Sequence, residues 1–402
     1  MKKFPIVLLL AFTGILSMSC LAACGDEAGD THTGGGGTSY VPNENSHLLK
    51  EGETVCEHCG EQLFEGELKF TLSDNQKYYE ASNFYDVSGD VIVPDYFCSR
   101  GDDTYLPVLE IFADMGNNVK TLEISAVAED VDFLEFDGNG LKEIRVAEGN
   151  AHYAAKDGVL YDKTLKNLLQ YPRAKEDAAF VVPEGVTRIR ESAFARNREL
   201  QRVEIASSVE TFEEYSFVAC ESLSAIEFLH GSMLKTIGER AFWDCRKLQA
   251  IEIPASVETI GFCAFSHCEA LETVGISEGS ALQSIIGKAF YGCGSLQSIE
   301  MPAGVETIGE EAFYLCRRLE RVEFAPDSAL KTIGNRAFYW CDCLQSIEIP
   351  VSVVNMGESV FAYWDASQRI YVPFAKDTLP EGWSPLWSEE IADPSIIVYK
   401  GT

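Results

Sequence analysis

Apolar positions in the second half of the chain recur with a short and a long period. In the stretch LQSIEMPAGVETIGEEAFYLC, starting at Leu296, the residues Leu296, Ile299 and Met301 are apolar while Ser298 and Glu300 flank the central isoleucine. Alternation of this kind predicts a short strand with Leu296, Ile299 and Met301 pointing inward. The long period is carried by Phe194, Phe217, Phe242, Phe265, Phe290, Phe313, Phe338 and Phe361, spaced alternately by 23 and 25 residues. Each follows a small residue, alanine in six cases and Ser216 or Val360 in the others. Behind most of them runs the frame Cys-x-x-Leu-x-x-Ile-x-Ile, then Val or Leu, then x-Thr-Ile-Gly. A unit of this length cannot bury its own apolar face, so the period predicts a solenoid in which each coil stacks on its neighbours. Inward columns of Leu, Ile and Phe are then core, because large apolar side chains are buried in preference to binding ligand.

The alternation in length has one source. Phe228 to Leu234, Ile276 to Leu282 and Phe324 to Leu330 are two residues longer than Ile253 to Val257 or Met301 to Val305. Every second coil therefore carries a longer turn, which the sequence reads as a tolerated change of loop length.

At these residues the chain resembles the leucine-rich repeat of BspA-like bacterial surface proteins. The resemblance extends to LKEIRVAEGNAHYAAKDGVLYDKTLKNLLQYP (141–172), similar to that family's interposed hairpin unit. Residues 68–94 resemble its opening hairpins and residues 369–402 its closing cap. Segment 95–140 fits poorly, and irregular coils are expected there. The resemblance implies an α/β leucine-rich-repeat solenoid, right-handed and curved. Short parallel strands, short helical turns around each Ala-Phe and hairpin caps at both ends complete the expected fold.

Outward columns carry the candidate binding chemistry. Glu204, Glu227, Glu252, Glu300, Glu323 and Glu348 occupy equivalent positions, with Gly275 breaking the row. Like charges ~4.8 Å apart repel by about 0.9 kcal/mol per pair even at the dielectric of water. A row that carries this repulsion uncompensated is the candidate binding face, against the plainer reading of a solvated face that blocks aggregation. A second column, Glu210, Lys235, Glu258, Gln283, Glu306, Lys331 and Val354, mixes signs and reads as structural pairing.

Two groups of cysteines invite a metal or redox reading. Cys220, Cys245, Cys268, Cys293, Cys316 and Cys341 form one column. A parallel column offers one ligand per coil, all aimed the same way, whereas zinc needs ligands converging on one point. Parallel side chains also hold Cβ atoms farther apart than a disulfide prefers. These thiols read as packing. In VCEHCGEQ, Cys56 and Cys59 have the spacing of half a zinc ribbon, but no second pair follows. Cys98 is single, and His47 or His58 would have to complete an irregular set. The sequence favours a local disulfide or free thiols here, so no metal and no cofactor is expected.

Composition narrows the partners. The formal charge of −31 repels phosphate backbones and anionic headgroups, which excludes nucleic acid as a partner. The histidines are scattered, and no G-x-S-x-G, H-E-x-x-H or phosphate-loop pattern occurs, so nothing points to an enzyme. At the N-terminus, Lys2 and Lys3 precede an apolar run from Ile6 to Leu16, and Leu21-Ala22-Ala23-Cys24 resembles a lipoprotein signal-peptidase site. Cys24 is the expected lipid-attachment residue, and the membrane is expected to be met through that anchor alone.

The expected organisation is a signal peptide at 1–23, a Gly/Ser/Thr-rich stalk at 24–46 and a CxxC segment at 47–67. An N-terminal cap with irregular repeats (68–140), the solenoid (141–361) and a C-terminal cap (362–402) follow. The resemblance implies a non-enzymatic adhesion lipoprotein, exposed on a bacterial envelope, that binds host matrix proteins, glycans or neighbouring cells. Rival expectations are a metal- or small-ligand-capturing lipoprotein and a self-associating structural protein of the envelope.

Overall fold

The computed structural model describes residues 42, 46–99, 104–113, 116–133 and 140–400. The expected signal peptide, Cys24 and nearly all of the expected stalk lie outside the described residues. Among those described, no helix is long and apolar enough to cross a membrane.

Two parallel ladders run along the repeat region. One is built from the frame around Ile-x-Ile: Ala179–Val181, Arg202–Ile205, Ala225–Phe228, Ala250–Ile253, Thr273–Ile276, Ser298–Met301 and Arg321–Phe324. The other belongs to a 12-stranded sheet: after Tyr153–Lys156, Val159–Asp162 and Asn167–Gln170, nine two-residue strands run in parallel from Arg188–Ile189 through Thr307–Ile308 to Gly382–Trp383, four of them Thr-Ile pairs. Between the ladders the eight phenylalanines are fully buried. Their rings stack in one column with centroids 4.6–5.8 Å apart, as the repeat predicts.

The expected helical turns do not form. Among the described residues the only helices are two 3₁₀ turns, Phe84–Asp86 and Pro394–Ile396, both outside the repeats. Around each Ala-Phe the backbone enters the left-handed region twice, for example at Arg240 (φ 50°) and Asp244 (φ 62°), and at Cys263 (φ 53°) and His267 (φ 60°). A helix cannot continue through such residues. The amide groups alternate instead. Ala241, Trp243 and Cys245 donate three residues back within the coil, while Arg240, Phe242 and Asp244 donate to Phe262, Ala264 and Ser266 of the next coil. The fold is therefore a parallel β-solenoid of about 12 turns rather than an α/β array.

The longer turns have a structural effect as well. Arg202–Ile205 pairs with Ala225–Phe228 over four residues, but the next step pairs only Ala225 with Ala250. The same alternation follows at Thr273 and Ser298. The Ile-x-Ile ladder thus opens after each long turn, into one three-strand unit and then two-strand units. In the long turns the serine hydroxyl accepts from the amide two residues on: Ser232 from Leu234, Ser280 from Leu282 and Ser328 from Leu330.

Antiparallel hairpins open the array, as expected. Lys69–Leu72 pairs with Tyr79–Ser82, and Tyr153–Lys156 with Val159–Asp162 across Asp157-Gly158, both at positive φ. The second hairpin joins two cores by strand alternation: Val159 and Tyr161 pack into the solenoid core, Leu160 into the N-terminal one. Segment 95–133 also contributes regular strands, Tyr96–Cys98, Leu106–Phe112 and Val119–Ile124 among them. The C-terminal cap differs from the expected hairpin. Arg369–Val372 and Ile397–Tyr399 continue in parallel. The end of the phenylalanine stack is covered by Trp364 and Trp387, edge-on to Phe361 at 5.0 and 6.2 Å. Indole rings close a solenoid end without needing an antiparallel strand.

Candidate functional site

Strand register brings the glutamates together in pairs, not in a continuous row. Glu204 lies opposite Glu227, Glu252 opposite Gly275, and Glu300 opposite Glu323. Two positions earlier on the same outward side stand Arg202 and Arg321, within reach of both acids of a pair. Arg202 meets Glu204 at 2.9 Å and Glu227 at 2.6 Å. Arg321 meets Glu323 at 3.2 Å and Glu300 at 3.9 Å. Lys400 meets Glu348 at 2.6 Å. The reading of an uncompensated row is corrected accordingly: every member except Glu252 has a cationic partner. Glu252 accepts from the Ser277 hydroxyl at 3.1 Å, and its carboxylate fills the space a Cβ at Gly275 would occupy. That contact explains the break in the row. In the mixed column, Lys331 meets Glu306 at 2.8 Å as expected for cross-strand pairing.

The cysteine column is buried throughout. Each thiol donates to the phenylalanine carbonyl of the preceding coil: Cys245 to Phe217 at 3.0 Å, Cys268 to Phe242 at 3.2 Å and Cys293 to Phe265 at 3.0 Å. Burial pushes the thiols of Cys245, Cys268 and Cys293 well up, so they stay protonated and remain donors. At the column's two ends other donors take the position. Asn197 donates to the carbonyls of Pro172 and Arg173, and the Trp364 indole to Phe338.

The CxxC segment forms a closed turn. An isolated antiparallel bridge joins Val55 to Gln62, the Cys56 amide donates to Glu61 and the Gly60 amide to Cys56. Gly60, at φ 76°, makes the reversal. Cys56 is buried and Cys59 exposed. His47 Nδ1 lies 3.6 Å from Cys59 Sγ, and the donor atoms of His47, Cys56 and Cys59 all fall within 4.8 Å of one another. Among the described residues, Cys98 and His58 are not part of this group. Burial raises the Cys56 thiol, but the amides of Cys59 and Leu48 and the side chains of His47 and Cys59 outweigh it and bring it to about 7. Asp95 fixes the histidine backbone: it accepts from the His47 amide at 2.7 Å, and its own amide donates back to the His47 carbonyl at 3.0 Å.

One feature escaped the sequence reading. The residues just after the core phenylalanines place Tyr291, Tyr314 and Tyr339 in a second, outer stack, with centroids 4.9 and 4.6 Å apart. Trp340 and Tyr363 extend it, 5.1 Å from each other, and Arg317 lies over the Trp340 ring at 5.4 Å. These rings are half-buried or exposed, Tyr363 being 48% exposed. The signal is present in the repeat register, one or two places after Phe290, Phe313, Phe338 and Phe361. It is overlain there by the stronger period of the core phenylalanines.

The family description that matches the chain is the BspA type leucine-rich repeat region, in six copies over residues 177–284 and 283–380, just over half of the sequence. A leucine-rich repeat protein from Eubacterium ventriosum is similar in structure. It is 20% identical with a TM-score of 0.50, over 74% of this chain and 93% of that one. A leucine-rich cell surface protein from Faecalibacterium prausnitzii matches at 25% identity and TM-score 0.39 over 60% of each chain. A leucine-rich repeat protein of T. pallidum matches at 27% identity and TM-score 0.38, over 44% of this chain and 82% of that one. Comparison with curated protein sequences finds no match. Repeat period, buried phenylalanine stack and family match agree, and the chain belongs to the BspA-type leucine-rich-repeat family.

Proposed function

We propose that this protein is a non-enzymatic binding protein that works at the bacterial surface, lipid-anchored through Cys24, and attaches to proteins or glycans of a host or a neighbouring cell. The reading is supported by the family, whose surface-type members suggest a protein-binding or adhesion role. The observation that carries it is the outer aromatic edge. Tyr, Trp and Arg are the residues that dominate binding energy at interfaces, because they bring large contact area and a polar handle at small entropic cost. Here Tyr314, Tyr339, Trp340, Tyr363 and Arg317 stand together on successive coils. The glutamate face remains part of the reading as the source of selectivity, since its flanking arginines offset its charge without burying it.

The experiment is a screen of the purified chain against arrays of matrix proteins and glycans, repeated with Trp340→Ala and Tyr363→Ala. A Glu252→Gln, Glu300→Gln, Glu323→Gln triple variant is run in parallel. A ligand whose affinity falls about tenfold or more in either aromatic variant supports the aromatic edge. Equal binding by all versions across a range of salt shows that neither surface is the contact.

A further inference from the structure

We propose that His47, Cys56 and Cys59 form a site for a thiophilic divalent cation of the zinc class, with a fourth coordination position left open. The site is independent of the solenoid surface and lies in the N-terminal segment ahead of the first hairpins. Its donors, one imidazole nitrogen and two sulfurs, are soft or borderline, which suits zinc and disfavours calcium or magnesium.

Geometry supports the assignment. In a tetrahedral site with metal–sulfur bonds of ~2.3 Å and metal–nitrogen bonds of ~2.0 Å, donor atoms sit roughly 3.5–3.8 Å apart. His47 Nδ1 and Cys59 Sγ are already 3.6 Å apart, and the widest separation in the set is within 4.8 Å. The scaffold is fixed in advance. The Val55–Gln62 bridge and the Cys56–Glu61 and Gly60–Cys56 hydrogen bonds hold the cysteine turn. The Leu48 amide points at Cys56 Sγ from 3.4 Å, and Asp95 locks the adjacent His47 backbone.

The second ring nitrogen completes the argument. His47 Nε2 lies 3.9 Å from the Glu61 carboxylate. Zinc-bound histidines commonly donate their other N–H to a carboxylate, which fixes the tautomer and strengthens the ligand. Glu61 stands on the Nε2 side of the ring, beyond hydrogen-bond length but next to it, while Nδ1 faces the Cys59 sulfur. The neighbouring acid Glu57 is occupied elsewhere, by Lys50 and Tyr105, and does not compete. Three protein ligands with one exposed member leave room for water or for a donor from another molecule.

The test uses the full chain, reduced and then freed of reductant under anaerobic conditions, titrated with Co²⁺ and then with Zn²⁺. The expected result is one equivalent of cobalt, a thiolate-to-cobalt charge-transfer absorption with tetrahedral visible bands, and displacement by zinc. Cys59→Ser and His47→Gln should lose the stoichiometric band. Cys59→His should recover one equivalent with a weaker thiolate absorption, and Cys343→Ser on the solenoid should bind normally. Glu61→Gln should weaken binding about tenfold or more. Zinc should also slow amide exchange across residues 47–62 in the unaltered chain, a readout that does not depend on any variant folding. The proposal is overturned if the reduced chain takes up no metal, if Cys59→Ser and His47→Gln bind like the parent, or if zinc leaves exchange in 47–62 unchanged.

Discussion

At the scale of the residue, the cysteine column shows how one side chain can satisfy two demands. The position after Ala-Phe-x-x needs a small group that tolerates complete burial and can still donate to a carbonyl. A thiol does both, being small, weakly polar and a weak donor. The end positions make the point from the other side. Where the stack begins, Asn197 serves two carbonyls, and where it ends, Trp364 serves one while covering the last ring. Cys293→Ala removes the contact to Phe265 and leaves a small cavity, so a loss of about 1–2 kcal/mol is expected. Cys293→Ser keeps a donor and should lose less. Urea unfolding of the two variants checks this order, and equal losses would show that the hydrogen bond contributes nothing beyond volume.

At the scale of the element, a coil is defined by what it cannot contain. Each Thr-Ile strand ends in a glycine whose missing Cβ allows the coils to approach. A Cβ at Gly309 would come within 2.4 Å of the Gly287 amide nitrogen, and one at Gly334 within 2.4 Å of the Glu310 nitrogen. The obstacle is backbone, which cannot swing aside as a side chain would. Gly309→Ala should therefore destabilise the array by about 2–3 kcal/mol or more, the cost of overpacking a fixed contact. Ala substitution at Gly294, which meets nothing within 4 Å, should be nearly neutral. Thermal unfolding of both variants is the measurement, and similar midpoints would contradict the steric account. The same elements explain the glutamate pairs. Long turns open the ladder after every second strand, so each arginine serves one pair rather than a row.

At the scale of the whole molecule, net charge sets the balance. With a charge of −31, long-range repulsion acts on the compact state. Exposed ion pairs such as Arg321–Glu323 contribute only about 0.2–1 kcal/mol each. The repulsion and the pairs respond to salt in opposite directions. Because acids outnumber bases 63 to 32, screening should relieve more than it removes. The unfolding midpoint is expected to rise between ~10 mM salt, where the screening length is near 30 Å, and ~150 mM, where it is near 8 Å. A falling midpoint would mean that the local pairs outweigh the global field.

What the sequence by itself determined was whatever repeats. Coil period, buried phenylalanine and thiol columns and inward Ile-x-Ile positions all follow from register, because stacking multiplies one local pattern along an axis, while the opening hairpins came from the resemblance. It also identified the family. The rest depended on distances between residues that no periodicity relates. Helical turns were expected around Ala-Phe, but paired left-handed residues send alternate amides to the next coil. The acidic row looked uncompensated because Arg202 and Arg321 belong to another column, and only the strand register sets them between two acids. His47 lies nine residues before Cys56 with no motif joining them. Its place beside the thiols is fixed by Asp95, 48 positions away, through contacts that only the folded chain brings together.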